Sequence, residues 1–161
     1  MVGIPPGARL AGEARRIGLT TAGMSQIHPT FTADPHRSDP ATTVLIVDDE
    51  PVIVEVLALV LEAEGYRVHS RTSGRAAVDW LQQHRADIVL LDFMMPRMDG
   101  AAVGRAIRAL PNGSNIAIVM SSALPEHSVR ERFDDFEAYL QKPYEMDVLL
   151  SRLAELAAPR S

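Results

Sequence analysis

The sequence predicts an α/β fold in which five parallel strands form a doubly wound sheet, in the order 2-1-3-4-5, with helices on both faces. Five short apolar runs alternate along the chain with five segments whose apolar residues recur at helical spacing. The third run, residues 86–91, is apolar on both faces, as in a strand inside a parallel sheet. Such alternation produces right-handed βαβ units.

The first strand and helix have the clearest boundaries. The β-branched run at 43–47 is closed by Asp48, Asp49 and Glu50, and Pro51 suits the first turn of a helix over 52–64. Gly65 ends that helix. Its apolar residues at helical spacing are Val52, Val56, Leu59 and Val60.

The remaining elements follow in order. A weaker strand at 66–72 leads through Ser73 and Gly74 to a helix that ends near His84 and directs Trp80 into the core. The other strands are expected at 86–91, 116–120 and 138–141, and the other helices at 100–110, 125–133 and 145–157. In the last helix, the residues expected to point inward are Val148, Leu149, Leu153 and Leu156.

Three segments follow from composition: a flexible N-terminal extension at 1–42, one domain at 43–158 and a tail at 159–161. Residues 1–43 contain five glycines, five prolines and a single aromatic residue, so burying them would not offset their ordering entropy. Their net charge is +1, against −6 for residues 44–161. An alternative is that the natural chain starts at Met24.

Composition also excludes several classes of protein. The chain has no cysteine, which rules out disulfide scaffolds, thiolate metal sites and thiol nucleophiles. Its net charge of −5 argues against direct binding of nucleic acid. No apolar run approaches the roughly 20 residues of a membrane span, and the first residues are wrong for a secretory signal. We therefore expect a cytoplasmic protein that contacts neither nucleic acid nor membrane.

Polar side chains follow four of the five predicted strands. Asp48 and Asp49 come after the first, Asp92 after the third, Ser121 after the fourth and Lys142 after the fifth. Ligands of such sheets bind beyond the carboxyl ends of the strands, at the topological switch point. The sequence therefore predicts one shallow pocket that gathers three carboxylates, a hydroxyl and an ammonium.

These groups have a shared chemistry. Three neighbouring carboxylates raise one another's pKa unless a cation compensates them, and Mg²⁺ suits a site with few protein ligands, all oxygen. Asp92, at the tip of the central strand, is then the best nucleophile toward a phosphoryl group. Lys142 and the metal would neutralise the developing charge. Lys142 is the only lysine among sixteen basic residues, which favours a need for a compact ammonium there.

With these residues in place, the chain resembles the receiver domain of two-component response regulators. The resemblance covers residues 43–158 and rests on Asp48-Asp49, on the run from Asp92 to Gly100 and on the run from Tyr139 to Pro143. The resemblance implies the flavodoxin-like version of the fold. The set of motifs, in order and at strand ends, is far more specific than any one of them.

The resemblance implies a role for each site residue. Asp92 would accept a phosphoryl group from a histidine kinase or a histidine phosphotransfer protein. Asp49 and Asp92 would bind Mg²⁺ directly, Asp48 through water, and Met94 through its main-chain carbonyl. Ser121 would be the switch hydroxyl, Tyr139 the switch aromatic and Lys142 the phosphate's ion-pair partner. The Lys142–Pro143 bond is often cis in this family.

Three assignments have alternatives. Asp48 and Asp49 by themselves could cap the following helix, and Tyr139 could be ordinary surface packing. Ser122 competes with Ser121 as the switch hydroxyl, although strand alternation and spacing favour Ser121.

Departures from the family pattern concern the output. Asp135-Phe136 stands where the family has glycine and a small residue, and the stretch at 124–137 is short and highly charged. We expect an unidentified downstream protein to bind the face formed by the fourth helix, fifth strand and fifth helix, without the dimer of DNA-binding regulators. Because little follows the last helix, we expect a stand-alone receiver.

Two classes of function compete. The first is phosphorylation-dependent protein–protein interaction, or relay of the phosphoryl group to a phosphotransfer protein. The second is a phosphatase of the haloacid-dehalogenase type, which needs a second aspartate two residues after the nucleophile, where this chain has Met94. A pseudo-receiver is disfavoured because the acceptor-site groups are all present. We therefore expect no enzyme in the usual sense, only Mg²⁺-dependent phosphorylation and dephosphorylation of its own aspartate.

Overall fold

The protein is described from a computed structural model, and the description covers residues 41–158. Residues 1–40 and 159–161 lie outside it, and with them almost all of the predicted N-terminal extension and the tail, which stay predictions. Within the described range, no helix is both long and apolar enough to cross a membrane.

One parallel sheet organises the described residues. Its five strands are ordered β2-β1-β3-β4-β5, which confirms the predicted fold class. In register, Val47 lies beside Leu91, and Asp92 beside Ser121, so the carboxyl ends of the inner strands align. The strands are β1 (Thr43–Val47), β2 (Arg67–Arg71), β3 (Ile88–Asp92), β4 (Ala117–Ser122) and β5 (Ala138–Gln141).

Helices cover both faces of the sheet, because alternate residues of each inner strand are apolar on opposite sides. Leu91 of β3 faces the core beneath α2, α3 and α4, whereas Leu90 faces the core beneath α1 and α5. The helices are α1 (Pro51–Ala63), α2 (Gly74–Leu81), α3 (Gly100–Arg108), α4 (Glu126–Arg130) and α5 (Met146–Ala157). A single 3₁₀ turn at Gly113–Asn115, which the sequence did not predict, precedes β4.

The buried stripe of α1 differs from the apolar spacing read in the sequence. The residues packed on the sheet are Val54, Leu57 and Leu61, whereas Val52 and Leu59 are each 69% exposed. Only two residues of this helix are charged, so several helical faces fit its apolar pattern equally well. In α5, Leu149 and Leu153 are buried as predicted, but Val148 is exposed.

Helix α4 ends earlier than its sequence pattern indicates. It spans only Glu126–Arg130, although Phe133 and Phe136 beyond it are still buried. Beyond it, arginine side chains donate to the backbone carbonyls: Arg105 to that of Arg132, and Arg108 to that of Asp135. These tertiary hydrogen bonds satisfy the chain without further helix.

Candidate functional site

The site lies at the carboxyl ends of the four neighbouring strands β1, β3, β4 and β5. Asp48 and Asp49 follow β1, and Asp92 and Ser121 are paired in register at the ends of β3 and β4. Lys142 follows β5, and its backbone N–H donates to the Ser122 carbonyl over 2.8 Å. The sheet order therefore brings together the groups that sequence spacing singled out.

Glycine allows the chain to turn sharply after Asp92. The N–H of Gly100 donates to the Phe93 carbonyl over 2.9 Å. A Cβ atom at position 100 would lie 2.7 Å from the Phe93 Cα, closer than any side chain tolerates. Because Gly100 has none, α3 begins directly against the end of β3, and Asp99 caps the helix by accepting from the Ala102 N–H over 2.8 Å.

Lys142 joins two of the three carboxylates. Its Nζ lies 2.9 Å from Asp92 Oδ1 and 3.1 Å from Asp48 Oδ2. Asp48 and Asp92 are both buried, so these contacts are partly shielded from water. The second oxygen of Asp48 accepts from the Glu50 N–H over 2.9 Å, which fixes that carboxylate at the start of α1. One ammonium thus compensates a cluster that carries three negative groups.

The carboxylates fit a divalent cation. Asp48, Asp49 and Asp92 each offer an oxygen, and these three atoms lie within 4.8 Å of one another. Hard oxygen donors with room for water molecules are what Mg²⁺ requires. The Met94 side chain, by contrast, is exposed, so only its main-chain carbonyl would take part, and that assignment stays a prediction.

Burial and crowding perturb both charged partners. Burial raises the pKa of Asp92, the contact with Lys142 offsets this only partly, and Asp48 and Asp49 raise it further. Burial alone would lower the pKa of Lys142, but its contacts with Asp92 and Asp48 raise it to about 12. The ammonium therefore stays charged, and burial makes the ionised form of Asp92 less favourable than that of an aspartate in water.

The two serines of β4 differ in their hydrogen bonding. Ser121 Oγ is buried and makes no well-aligned hydrogen bond within the described residues, although the Tyr144 phenol lies near it. Ser122 Oγ accepts from the Leu124 N–H over 3.2 Å and is thus already used. A buried hydroxyl without a well-aligned partner is destabilising unless something binds there, so the geometry supports Ser121 over Ser122.

Tyr139 is half-buried against the core formed by α2, α3 and α4. Its hydroxyl donates to the Leu124 carbonyl and lies 3.2 Å from the Ser122 carbonyl. The ring therefore contacts the connection after β4, directly beside Ser121. This place is compatible with the predicted switch role, which stays a prediction.

Sequence reasoning missed one residue of the site, Tyr144. Burial raises the pKa of its phenol, while Ser121 and then the charge of Lys142 act in the opposite direction, which places the phenol near the acceptor site. Its position two residues after Lys142 was a signal that could have identified it. The Lys142–Pro143 bond between the two is cis, as the resemblance implied.

Comparisons with known proteins agree with this geometry. A family model for the response regulator receiver domain matches residues 44–154. The response regulator MprA of Mycolicibacterium vanbaalenii is 38% identical over 117 residues, which are 70% of this chain and 49% of that protein. The chain thus spans about half the length of the curated relatives it matches.

Two solved structures resemble the described fold closely. The chemotaxis protein CheY4 of Vibrio cholerae aligns with a TM-score of 0.69 and 26% identity, over 73% of this chain and 99% of that one. The receiver domain of the sensor histidine kinase PA1611 of Pseudomonas aeruginosa gives 0.68 and 30%, over 74% and 100%. That second structure has a magnesium ion coordinated in its active-site cleft.

Proposed function

The chain belongs to the response regulator receiver domain family, and from that premise we propose that Asp92 accepts a phosphoryl group from a phosphohistidine donor. The observation that carries the proposal is the bridging ammonium of Lys142, 2.9 Å from Asp92 and 3.1 Å from Asp48. Receiver domains of this family interact with histidine kinases or histidine phosphotransfer proteins. The phosphorylated form would then signal by binding another protein.

The transfer is a substitution at phosphorus. A carboxylate oxygen of Asp92 forms a new O–P bond as the P–N bond to the donor imidazole breaks, and the imidazole leaves with the bonding electron pair and takes up a proton. Asp49, Asp92, the Met94 carbonyl and, through water, Asp48 would hold Mg²⁺, which would supply positive charge to the phosphoryl oxygens. Lys142, whose Nζ lies 2.9 Å from Asp92 Oδ1, would add a second positive charge.

Burial of the acceptor helps the reaction in two ways. The surroundings of Asp92 exclude most water, so the charges of Lys142 and the metal act through a less polar medium. The raised pKa of Asp92 also shows that its ionised form lacks sufficient compensation in the metal-free protein. A cation that binds there would therefore stabilise the ionised form of the nucleophile and orient it.

Ser121 and Tyr139 are proposed as the response elements. The Ser121 hydroxyl, which makes no well-aligned hydrogen bond, is beside Asp92 in register and is available to donate to a phosphoryl oxygen. Its movement would change the backbone of residues 122–124, whose carbonyls hold the Tyr139 hydroxyl. Phosphorylation would thus shift the population of arrangements around β4, α4 and β5.

Two surfaces are proposed for partners. An exposed apolar strip on α1, formed by Val52, Val56 and Leu59, begins next to Asp49 and suits an apolar helical surface of the phosphodonor. The downstream protein would bind the face formed by α4, β5 and α5, because that face is connected to Ser121 through Tyr139.

The proposal is tested with a small phosphodonor, acetyl phosphate, and intact-mass spectrometry. We expect the full chain to gain one phosphoryl group with Mg²⁺ and none with EDTA, and Asp92→Ala to gain none. Asp87→Ala is the matched control, because that carboxylate lies at the opposite end of the same strand and accepts from the Thr43 N–H. Labelling that persists in Asp92→Ala would contradict the assignment.

A further inference from the structure

The charged segment between α4 and β5 contacts the loop that follows Asp92. We define this acceptor loop as residues 93–99 and the α4–β5 segment as residues 131–137. The Arg132 guanidinium pairs with the Asp99 carboxylate, and its Cζ lies 5.0 Å from the centre of the Phe93 ring. Arg132 therefore contacts both ends of the acceptor loop.

The acceptor loop is held at both ends as well as by Met95, which is buried in the core. Phe93 is fully buried and its N–H donates to the Ser121 carbonyl over 2.8 Å, while Asp99 caps α3 with its other carboxylate oxygen. Between them, Arg97 has a φ of 66°, a left-handed conformation that side chains other than glycine adopt only when their surroundings impose it. Contacts that fix Phe93 and Asp99 therefore help to fix the middle of the loop.

Arg132 is itself anchored on the far side. Its carbonyl accepts from Arg105 Nη1 over 2.8 Å, and its N–H donates to the carbonyl of the buried Val129 over 3.0 Å. The neighbouring Phe133 packs so tightly on α3 that a Cβ at Gly104 would lie 2.5 Å from the ring. The α4–β5 segment thus presents Arg132 from a fixed backbone.

We propose that Arg132 is a positioning residue that connects the acceptor loop to the α4–β5 segment and so supports binding of Mg²⁺ at the acceptor site. This inference rests on the proposed function, because the acceptor loop contributes the Met94 carbonyl. The arginine orders the loop through Asp99 and Phe93, and an ordered ligand binds a cation with less loss of entropy. By thermodynamic linkage, a partner that displaces Arg132 weakens Mg²⁺ binding, and Mg²⁺ in turn weakens that partner.

The first experiment measures Mg²⁺ affinity of the full chain by isothermal titration calorimetry. Arg132→Ala is expected to bind Mg²⁺ about two- to fivefold more weakly, the range that one partly exposed ion pair supports. Arg130→Ala is the matched control: it removes the same charge from the same region, but Arg130 pairs with Glu126 and lies over Phe136, away from the acceptor loop. Its affinity should equal that of the wild type.

Electrostatics alone would change the Mg²⁺ affinity of Arg132→Ala in the opposite direction. Removing a positive charge makes the site more negative and would strengthen Mg²⁺ binding, so weaker binding by Arg132→Ala identifies loss of order in the loop. Arg132→Lys retains the charge but not the planar group over Phe93, and its affinity should lie between those of Arg132→Ala and the wild type.

The second experiment measures, in the wild type and the variants, how occupation of the acceptor site affects the α4–β5 segment. Beryllofluoride with Mg²⁺ should change amide hydrogen exchange of the α4–β5 segment in the wild type and in Arg75→Ala, whose arginine pairs with Asp79 within α2, and change it less in Arg132→Ala. Equal Mg²⁺ affinity in Arg132→Ala and the wild type would overturn the inference but leave the proposed function intact. A wild-type chain that binds no Mg²⁺ would contradict both.

Discussion

The acceptor site and the α4–β5 segment are both rich in charge, but they use it in opposite ways. At the acceptor site, three carboxylates share one ammonium, and a buried hydroxyl makes no well-aligned hydrogen bond within the described residues. Along the α4–β5 segment, Arg108 binds the carbonyls of Gly113, Ile116 and Asp135 and pairs with Glu137. The acceptor site has too few partners for its charges, whereas Arg108 is paired through both terminal nitrogens, and its Nε, which makes no hydrogen bond, lies 3.1 Å from Asp135 Oδ1.

This difference separates groups that act from groups that stabilise. Charges paired within the protein leave little for a ligand to improve, so the Arg108 network is a structural support of the α4–β5 segment. Carboxylates that lack a compensating positive charge are stabilised when a cation binds. The acceptor site is therefore suited to binding a metal ion and to reaction. High charge density in the sequence is common to both regions and does not distinguish them.

The largest effect on stability is expected from a substitution that removes the Arg108 network. Arg108→Ala removes a mostly buried guanidinium, which takes the ion-pair partner from Glu137 and a hydrogen-bond donor from the carbonyls of Ile116 and Asp135. We expect the free energy of unfolding to fall by about 2–4 kcal/mol, measured by urea denaturation. Arg75→Ala, which removes an exposed arginine of an i,i+4 pair, should change it by less than about 0.5 kcal/mol. Equal losses of stability in the two variants would contradict the role of the Arg108 network as a structural support.

A smaller effect on stability is expected from removing Lys142, the one cationic side chain that residues 41–158 place against the acceptor-site carboxylates. Lys142→Met should lower the free energy of unfolding in EDTA by about 1–2 kcal/mol at neutral pH, because three carboxylates then remain uncompensated. The raised pKa of Lys142 means that its contribution is fully present below pH 10.5 and is lost as pH rises through about 12. Mg²⁺ should restore more stability to the variant than it adds to the wild type, as measured by thermal unfolding.

The smallest expected effect on the free energy of unfolding is an increase. Asp92→Asn should raise the free energy of unfolding in EDTA by about 1 kcal/mol at neutral pH, because it removes a buried negative charge from a crowded cluster. The folded-state pKa of Asp92 is raised, so the folded protein binds its proton more tightly than the unfolded chain does. The advantage of Asp92→Asn should therefore decline as pH falls through that raised pKa and vanish below 3.8, the ordinary pKa of an aspartate. An advantage that persists at low pH would show that ionisation of Asp92 is not its cause.

Much of the fold was predictable from local patterns. β1 and β5 begin and end at the predicted residues, because β-branched and apolar runs bounded by polar residues leave little choice of boundary. The prediction of the buried face of α1 was wrong, and the predicted end of α4 at Phe133 lay beyond its observed end at Arg130. In α1 the apolar residues surround the helix, and at α4 the hydrogen bonds that end it come from arginines more than 20 residues away.

The site was predictable because its residues stand at strand ends. Asp48, Asp92 and Lys142 come together once the strand order is known, and their ion pairs follow from that order. The position of Tyr144 and the Arg132–Asp99 pair did not follow, because each depends on how a loop folds back on the sheet.

By itself, the sequence determined the alternation of strands and helices, the family and the chemical groups at the acceptor site. These are consequences of residue type and short spacing, which act within one element. Only the tertiary structure decided which charges are satisfied, which serine hydroxyl is free and which arginine contacts the acceptor loop. Those outcomes depend on distances between residues remote in sequence, and packing fixes such distances only when the whole domain has folded.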